Sequence, residues 1–92
     1  ELERMKKMVA PILKRAGITK SSFFGSVARG DFHDNSDVDI LIEFHNKKTL
    51  LDLVELQQKL ELVIGRRVDL VTYRSLYPKL KEIIQRDEVA IM

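Results

Sequence analysis

The stretch FFGSVARGDFHDNSDVDILIEF, residues 23–44, joins two apolar segments through a Gly-Ser pair and an Asp-Val-Asp triplet. Its last eight residues are rich in β-branched and aromatic side chains and predict a strand over 37–44. Because side chains alternate along a strand, Asp37 and Asp39 are expected on one face, about 6.5–7 Å apart along the chain. The aliphatic residues on the opposite face, which can enter a core, are Val38, Ile40 and Ile42. The stretch therefore predicts a strand with one acidic face and one apolar face.

Helical and strand patterns flank this stretch on both sides. A helix over 50–64 lies between the strand 37–44 and another over 67–73, and such a βαβ arrangement predicts parallel strands. A strand over 19–25 reaches 37–44 through a short connection and is expected to pair with it in antiparallel fashion. The other predicted elements are a helix over 2–16, a short helix over Val27–Arg29, a helix over 75–86 and an edge strand over 89–92. With 92 residues, the chain is expected to form a single domain over 1–92, an α/β fold of order α-β-α-β-α-β-α whose small mixed sheet packs against helices.

Apolar spacing predicts the buried face of the central helix. Six apolar residues of the helix over 50–64 are expected to form one stripe in the core. They are Leu50, Leu53, Val54, Leu60, Val63 and Ile64. Thr49 and Asp52 form a capping-box pattern at its start, and Gly65 is expected to end it.

Proline positions bear on the two outer helices. Pro78 lies near the first turn of the helix over 75–86, where proline is tolerated. The residues of this helix that are expected to face inward are Leu80, Ile83 and Ile84. Pro11 interrupts the helix over 2–16, which is therefore expected either to kink there or to give way to a shorter helix that starts nearby.

A third aspartate, Asp69, lies near the start of the strand over 67–73. If this strand is the neighbour of 37–44, about 4.8 Å away, Asp69 can join Asp37 and Asp39 on one face. Three bare carboxylates repel one another, and a divalent cation removes that conflict. Carboxylate ligands without cysteine or a histidine cluster favour Mg²⁺, or alternatively Mn²⁺, and two such ions suit phosphoryl transfer. The alternative is that these aspartates are only solvated residues at strand ends.

The Gly25-Ser26 pair supplies a second chemical feature ahead of the acids. Glycine allows the backbone to approach a ligand closely. The N–H groups of the short helix that follows, together with the Ser26 hydroxyl, are expected to point at a phosphate. Arg29 is expected either to pair with phosphate oxygens or to form a structural pair with an acid such as Asp31. Ser36 is a further candidate for ligand contact, with capping of its loop as the alternative.

The composition excludes several classes of protein. There is no cysteine, which rules out disulfides and thiolate metal sites and is consistent with a reducing compartment such as the cytoplasm. No segment approaches the ~20 apolar residues that a membrane span needs, so no membrane association is expected. A formal net charge of +2 without a long run of like charge gives no reason to expect direct nucleic-acid binding.

The combined motif resembles a known family. Gly25-Ser26, ten further residues and then Asp37-Val38-Asp39 match the G-S-x10-D-x-D signature of the DNA polymerase β-like nucleotidyltransferase superfamily. The fuller string GSVARGDFHDNSDVDILI is similar to that of the minimal nucleotidyltransferase (MNT) family, including the ARG triplet and the serine before the first aspartate. A lone D-x-D is a weak signal, but this combination is specific and the resemblance covers essentially the whole chain.

The resemblance implies a metal-dependent nucleotidyl transfer, with AMP from ATP as the expected group and donor and pyrophosphate as the product. It implies that Gly25 and Ser26 hold the triphosphate and that Asp37 and Asp39 bind both metal ions. Asp69 would bind the catalytic ion and help to deprotonate an acceptor hydroxyl. Many members are antitoxins of HEPN–MNT toxin–antitoxin pairs, so a helical HEPN-type toxin is the implied partner and a hetero-oligomer the implied assembly.

Two other functions stay open on the sequence alone. One is a catalytically silent module that keeps the fold and neutralises its HEPN partner by contact. The other is nucleotidyl transfer to a small molecule or to RNA. The three intact acids favour an active protein adenylyltransferase over the silent module. No second lobe and no basic surface with aromatic side chains is expected from this sequence, which disfavours the small-molecule and RNA acceptors.

Overall fold

The computed structural model describes residues 1–30 and 36–92. Its helices and strands follow the predicted order, with most boundaries displaced by one to three residues from those expected. The elements are α1 (Leu2–Arg15), β1 (Ile18–Phe24), α2 (Gly25–Arg29), β2 (Val38–Phe44), α3 (Leu50–Ile64), β3 (Val68–Thr72), α4 (Pro78–Asp87) and β4 (Val89–Ala90). A single 3₁₀ turn over Tyr73–Ser75 joins β3 to the segment that leads into α4.

The four strands form one sheet in the order β3-β2-β1-β4. β1 pairs with β2 in antiparallel fashion, and β2 pairs with β3 in parallel, so both predicted pairings are confirmed. β4 is a two-residue edge strand antiparallel to β1, which confirms an edge strand within 89–92. The helix α3 makes the crossover from β2 to β3, as a βαβ unit requires.

One face of the sheet, formed in β2 by Val38, Ile40 and Ile42, carries the core. All three side chains are fully buried, which confirms the apolar face predicted for this strand. The core residues of the two long helices are Met5, Val9 and Leu13 from α1 and Leu56 and Leu60 from α3. α1 and α3 pack on the face opposite the aspartates, and Val27 of α2 joins the same core. Within residues 1–30 and 36–92, no helix is long and apolar enough to cross a membrane.

The predicted stripe of α3 is only partly correct. Leu60 is buried, and Leu53 and Ile64 pack against the core. Leu50, Val54 and Val63 are exposed instead, and Leu56, which the prediction omitted, is buried. The buried line runs through residues 53, 56, 60 and 64 at helical spacing. Val54 and Val63 lie beside that line, and Leu50 is the first residue of the helix.

The inward orientation predicted for α4 is wrong. None of the residues of α4 is buried, and Leu80 and Ile83 are 45% and 57% exposed. Ile84 is half-buried. The reason is topological: α1 and α3 already cover the apolar face of the sheet, so α4 does not reach that core.

The terminal features of the helices follow their local chemistry. α1 continues through Pro11, so the alternative of a shorter helix starting nearby is wrong. The capping box is confirmed, because Asp52 N–H donates to Thr49 Oγ1 at 3.1 Å and Thr49 N–H donates to Asp52 Oδ2 at 2.9 Å. Gly65 ends α3 with a φ of 76°, and Pro78 is the first residue of α4.

Two side chains of α3 bind the outer edge of β3, next to Asp69. Gln57 Nε2 donates to the Val68 carbonyl at 2.7 Å, and the Val68 N–H donates to Glu61 Oε2 at 2.9 Å. Because Gln57 and Glu61 are one helical turn apart, they satisfy both backbone groups of the same edge residue. This arrangement fixes the start of the strand that carries Asp69.

We expect Gln57→Ala and Glu61→Ala each to lower the free energy of unfolding by about 0.5–1.5 kcal/mol, the usual contribution of one hydrogen bond. Urea denaturation measures this change. Gln58→Ala is the matched control, because Gln58 lies on the same helix with an exposed side chain and should change stability little. Equal stability of all three variants would contradict a stabilising role for the two bonds.

Candidate active site

The acidic face of the sheet brings two of the three predicted aspartates into direct register. Asp39 of β2 lies opposite Asp69 of β3, and on the other side of Asp39 lies Phe24 of β1. Asp37 immediately precedes β2 and is exposed, as is Asp69, whereas Asp39 is half-buried. The prediction that Asp69 adjoins the acidic face of 37–44 is therefore confirmed at the level of strand register.

Gly25 is in close contact with Asp39. Its φ is +71°, in the left-handed region that favours glycine. A Cβ atom at this position would overlap Oδ2 of Asp39 and lie 3.3 Å from its Cγ. The glycine therefore allows the Asp39 carboxylate to lie against the backbone at the start of α2. This places the Gly-Ser pair and the acids in one site, as the sequence predicts.

The electrostatics of Asp39 follow from these neighbours. Burial raises its pKa above the usual value of 3.8, and the nearby charges of Asp69 and Asp37 raise it further. The guanidinium of Arg29 acts in the opposite direction. A carboxylate surrounded in this way is unfavourable by itself and is stabilised by a bound cation.

The remaining predicted contacts lie around this centre. Ser26 lies in the first turn of α2 and is half-buried, and Ser36 is half-buried just before Asp37. Arg29 is the last residue of α2 and is exposed, yet its charge acts on Asp39. The alternative partner of Arg29, Asp31, lies outside the described residues, so that alternative stays a prediction.

The donor chemistry of the site fits a hard divalent cation. Asp37, Asp39 and Asp69 offer carboxylate oxygens, which Mg²⁺ and Mn²⁺ prefer. In the part of the chain that the structure describes, however, no group of three or more His, Asp or Glu side chains is arranged to hold a metal ion. The three residues therefore share one region and one donor type without forming a closed set of ligands.

A polar network that the sequence did not reveal lies on the same face. Ser22 lies two residues before Phe24 in β1, so its side chain is on the face of Asp39. Its hydroxyl forms a 2.8 Å hydrogen bond with the hydroxyl of Tyr73, which donates to Glu88 Oε2 at 3.2 Å. In the sequence, the only sign of this network was that Ser22 and Phe24 lie two residues apart in a strand and therefore share a face. This network ties the end of β3 and the end of α4 to the acidic face.

A family model described as a nucleotidyltransferase domain matches residues 5–91. The chain belongs to this nucleotidyltransferase family. Its four-stranded mixed sheet, with a G-S turn before β2 and aspartates on one face, is the polymerase β-like fold of the minimal nucleotidyltransferases. The nucleotidyltransferase is thus an enzyme by family, and the acidic face described above is its candidate active site.

Relatives of known name support this assignment. The nucleotidyltransferase is 43% identical over 91 residues to a candidate protein adenylyltransferase of Methanocaldococcus jannaschii, covering 99% of this chain and 98% of the relative. It is 38% identical over 78 residues to the protein adenylyltransferase MntA of Thermococcus cleftensis, covering 85% of this chain and 79% of the relative.

Solved structures agree with the fold. A candidate minimal nucleotidyltransferase superposes with a TM-score of 0.84 at 39% identity, covering 96% of this chain and 90% of the other. A chain of a toxin–antitoxin complex with AMP-PNP gives a TM-score of 0.82 at 26% identity, covering 95% of this chain and 72% of the other. The nucleotidyltransferase therefore shares its fold with a protein that was crystallised with an ATP analogue and a toxin or antitoxin partner.

Proposed function

We propose that the chain transfers AMP from ATP to a hydroxyl group of a partner protein, and that this partner is a HEPN-type toxin for which the chain is the antitoxin. The observation that carries the proposal is the arrangement of Asp39, which lies in register with Asp69 and against the backbone of Gly25. Acids and a phosphate-binding turn that meet in one place suit transfer of a nucleotidyl group. The names of the relatives support a protein as acceptor.

The reaction forms a bond between the acceptor oxygen and the α-phosphorus of ATP and breaks the bond from that phosphorus to the bridging oxygen. Pyrophosphate leaves with the electron pair of the broken bond. Two Mg²⁺ ions, held by Asp37, Asp39 and Asp69, would supply charge neutralisation for the phosphates and the acceptor oxygen.

The chain's own residues orient the reactants. The backbone at Gly25 admits the triphosphate close to Asp39, because no side chain stands between them. Ser26 and Arg29 lie at the two ends of α2 and can bind phosphate oxygens. Asp69, exposed at the edge of the acidic face, would accept the proton of the acceptor hydroxyl. Contacts by Ser36 complete the proposed nucleotide site.

The open face of the sheet indicates where the partner would bind. The long helices cover the opposite face, so we propose that the acceptor approaches the aspartates from the face that these helices leave open. We propose a hetero-oligomer in which the HEPN protein covers this side, in the cytoplasm, where ATP and a toxin that acts inside the cell are both present.

The test combines purified chain, a candidate HEPN-class partner from the same organism, Mg²⁺ and ATP labelled at the α-phosphate. We expect label on the partner, and we expect the double variant Asp37→Asn/Asp39→Asn to lose it. ATP labelled at the γ-phosphate is the control, since its label leaves with pyrophosphate.

Other outcomes identify the other functions. Tight binding of the partner without label and without Mg²⁺-dependent nucleotide binding would assign a silent binding module instead. Label on RNA or on a small molecule, with none on the partner, would contradict the protein acceptor.

A further inference from the structure

Helix α4 exposes an apolar surface that the rest of the chain does not cover. The surface consists of Tyr77, Leu80 and Ile83, which are 78%, 45% and 57% exposed. The three residues recur at a spacing of three, so they follow one side of the helix and its entry. We refer to these three residues as the α4 surface.

The α4 surface belongs to the acidic side of the molecule. The residue after α4, Glu88, accepts a hydrogen bond from the hydroxyl of Tyr73. The same hydroxyl is hydrogen-bonded to Ser22, on the face of Asp39. α4 also packs against α2, the helix that begins with Gly25. The C-terminal end of α4 is therefore tied to the face of the sheet that carries Asp39.

The helix also lacks the usual internal sources of stability. It has ten residues, no side-chain hydrogen bond at its N-cap and no buried residue. Helices shorter than about 12–15 residues are marginal in water unless one face is packed. An amphipathic helix of this length gains stability when another surface covers its apolar side.

Charge indicates what kind of surface fits there. Between residue 74 and the end of α4 at Asp87 the chain has four cations and two carboxylates, Glu82 and Asp87. The cations are Arg74, Lys79, Lys81 and Arg86, all of them exposed. An apolar strip with a basic rim is complementary to an apolar helical surface with an acidic rim.

We propose that the α4 surface is the docking site for the protein that accepts AMP, through an apolar helical face bordered by acidic residues. This inference rests on the proposed function for the identity of the occupant. The exposed leucines of α3, Leu50, Leu51 and Leu62, do not serve this purpose, because α3 lies on the opposite face of the sheet. A protein docked on α3 has no direct path to Asp39.

Binding is measured by titration calorimetry between the HEPN-class protein and the chain carrying Asp37→Asn and Asp39→Asn, so that transfer does not complicate the result. In this background Leu80→Glu is expected to weaken binding about tenfold or more, as loss of an interface anchor does. Leu62→Glu is the matched control, since Leu62 is 83% exposed on α3, and it should leave affinity unchanged. Tyr77→Glu is the second variant, because the 78% exposed Tyr77 can change without disturbing the fold. Thermal unfolding of each variant checks that α4 remains in place.

Each possible result either supports or overturns the proposed docking site on the α4 surface. Weaker binding for Leu80→Glu and Tyr77→Glu but not for Leu62→Glu supports it, even if no AMP transfer is found and the proposed function fails. Equal loss in all three variants, no loss in any, or no binding by the HEPN-class protein would overturn it. A dimer of this chain that Leu80→Glu separates into monomers would also overturn it, since the occupant would then be a second copy.

Discussion

Replacing Asp39 with asparagine is expected to reduce AMP transfer by more than about 100-fold, because Asp39 is a proposed direct metal ligand and even loss of a residue that only supports a ligand costs about 10–100-fold. Without divalent cations, the same substitution is expected to raise the free energy of unfolding at neutral pH. Asp39 is partly buried beside Asp69 and Asp37, and both burial and their charges raise its pKa. Asparagine keeps the shape of the side chain and removes this repulsion.

The pH dependence gives the sign of the effect on stability. A carboxyl group whose pKa is raised in the folded state stabilises the protein fully below its usual pKa of 3.8. That stabilisation is lost as the pH rises through the raised pKa. The stability gained by Asp39→Asn should therefore be present at neutral pH and disappear below 3.8.

Urea denaturation in EDTA, at neutral pH and below pH 3.8, measures the change in the free energy of unfolding. ATP labelled at the α-phosphate measures AMP transfer. Glu55→Gln is the control for loss of a carboxylate, since Glu55 is exposed on α3, away from the acids, and should change neither quantity. A less stable Asp39→Asn protein would contradict the repulsion between the acids. Undiminished AMP transfer by the Asp39→Asn protein would contradict the assignment of Asp39 to the active site.

Replacing Gly25 with alanine is expected to impair both folding and transfer. The positive φ of Gly25 costs a non-glycine residue about 1–3 kcal/mol, and the new Cβ would also overlap Oδ2 of Asp39. We expect a loss of stability of about 2 kcal/mol or more. We also expect transfer to fall at least about 100-fold, because a displaced Asp39 no longer meets the nucleotide.

Gly65→Ala separates backbone strain from steric overlap. Gly65 has a φ of +76° and no atom within 4 Å of the Cβ position, so its substitution should cost about 1 kcal/mol and leave transfer intact. Combining Gly25→Ala with Asp39→Ala should reduce the cost of the first substitution, because the overlapping carboxylate is gone. If the losses of stability from the two substitutions simply add in this double-mutant cycle, the contact between Gly25 and Asp39 is contradicted.

Local patterns were sufficient to predict the strands, their pairing and the place of the acids. The alternation in DVDILIEF determines which side of β2 is acidic, and the helix between β2 and β3 requires their parallel pairing. These inferences depend on neighbours in sequence or on a single crossover, and the register of Asp39 with Asp69 followed from them.

What the sequence could not predict depends on which surfaces are already covered. The apolar spacing of α4 is that of a buried helix, yet Leu80 and Ile83 are exposed because α1 and α3 cover the apolar face first. Spacing alone cannot tell a face that packs inside the chain from one that packs outside it. The bond from Tyr73 to Ser22 joins residues far apart in sequence, so no local pattern indicated it.

The contact between Gly25 and Asp39 links what can happen to these two positions over evolutionary time. While the carboxylate is present, any side chain at position 25 would overlap it, so the glycine cannot change first without a loss of stability. Once a descendant loses the acid, the steric reason for the glycine weakens and only the backbone preference remains. We therefore expect lineages that have abandoned catalysis to lose the aspartate first and the glycine later, so that a glycine without its acid marks a recent loss of activity.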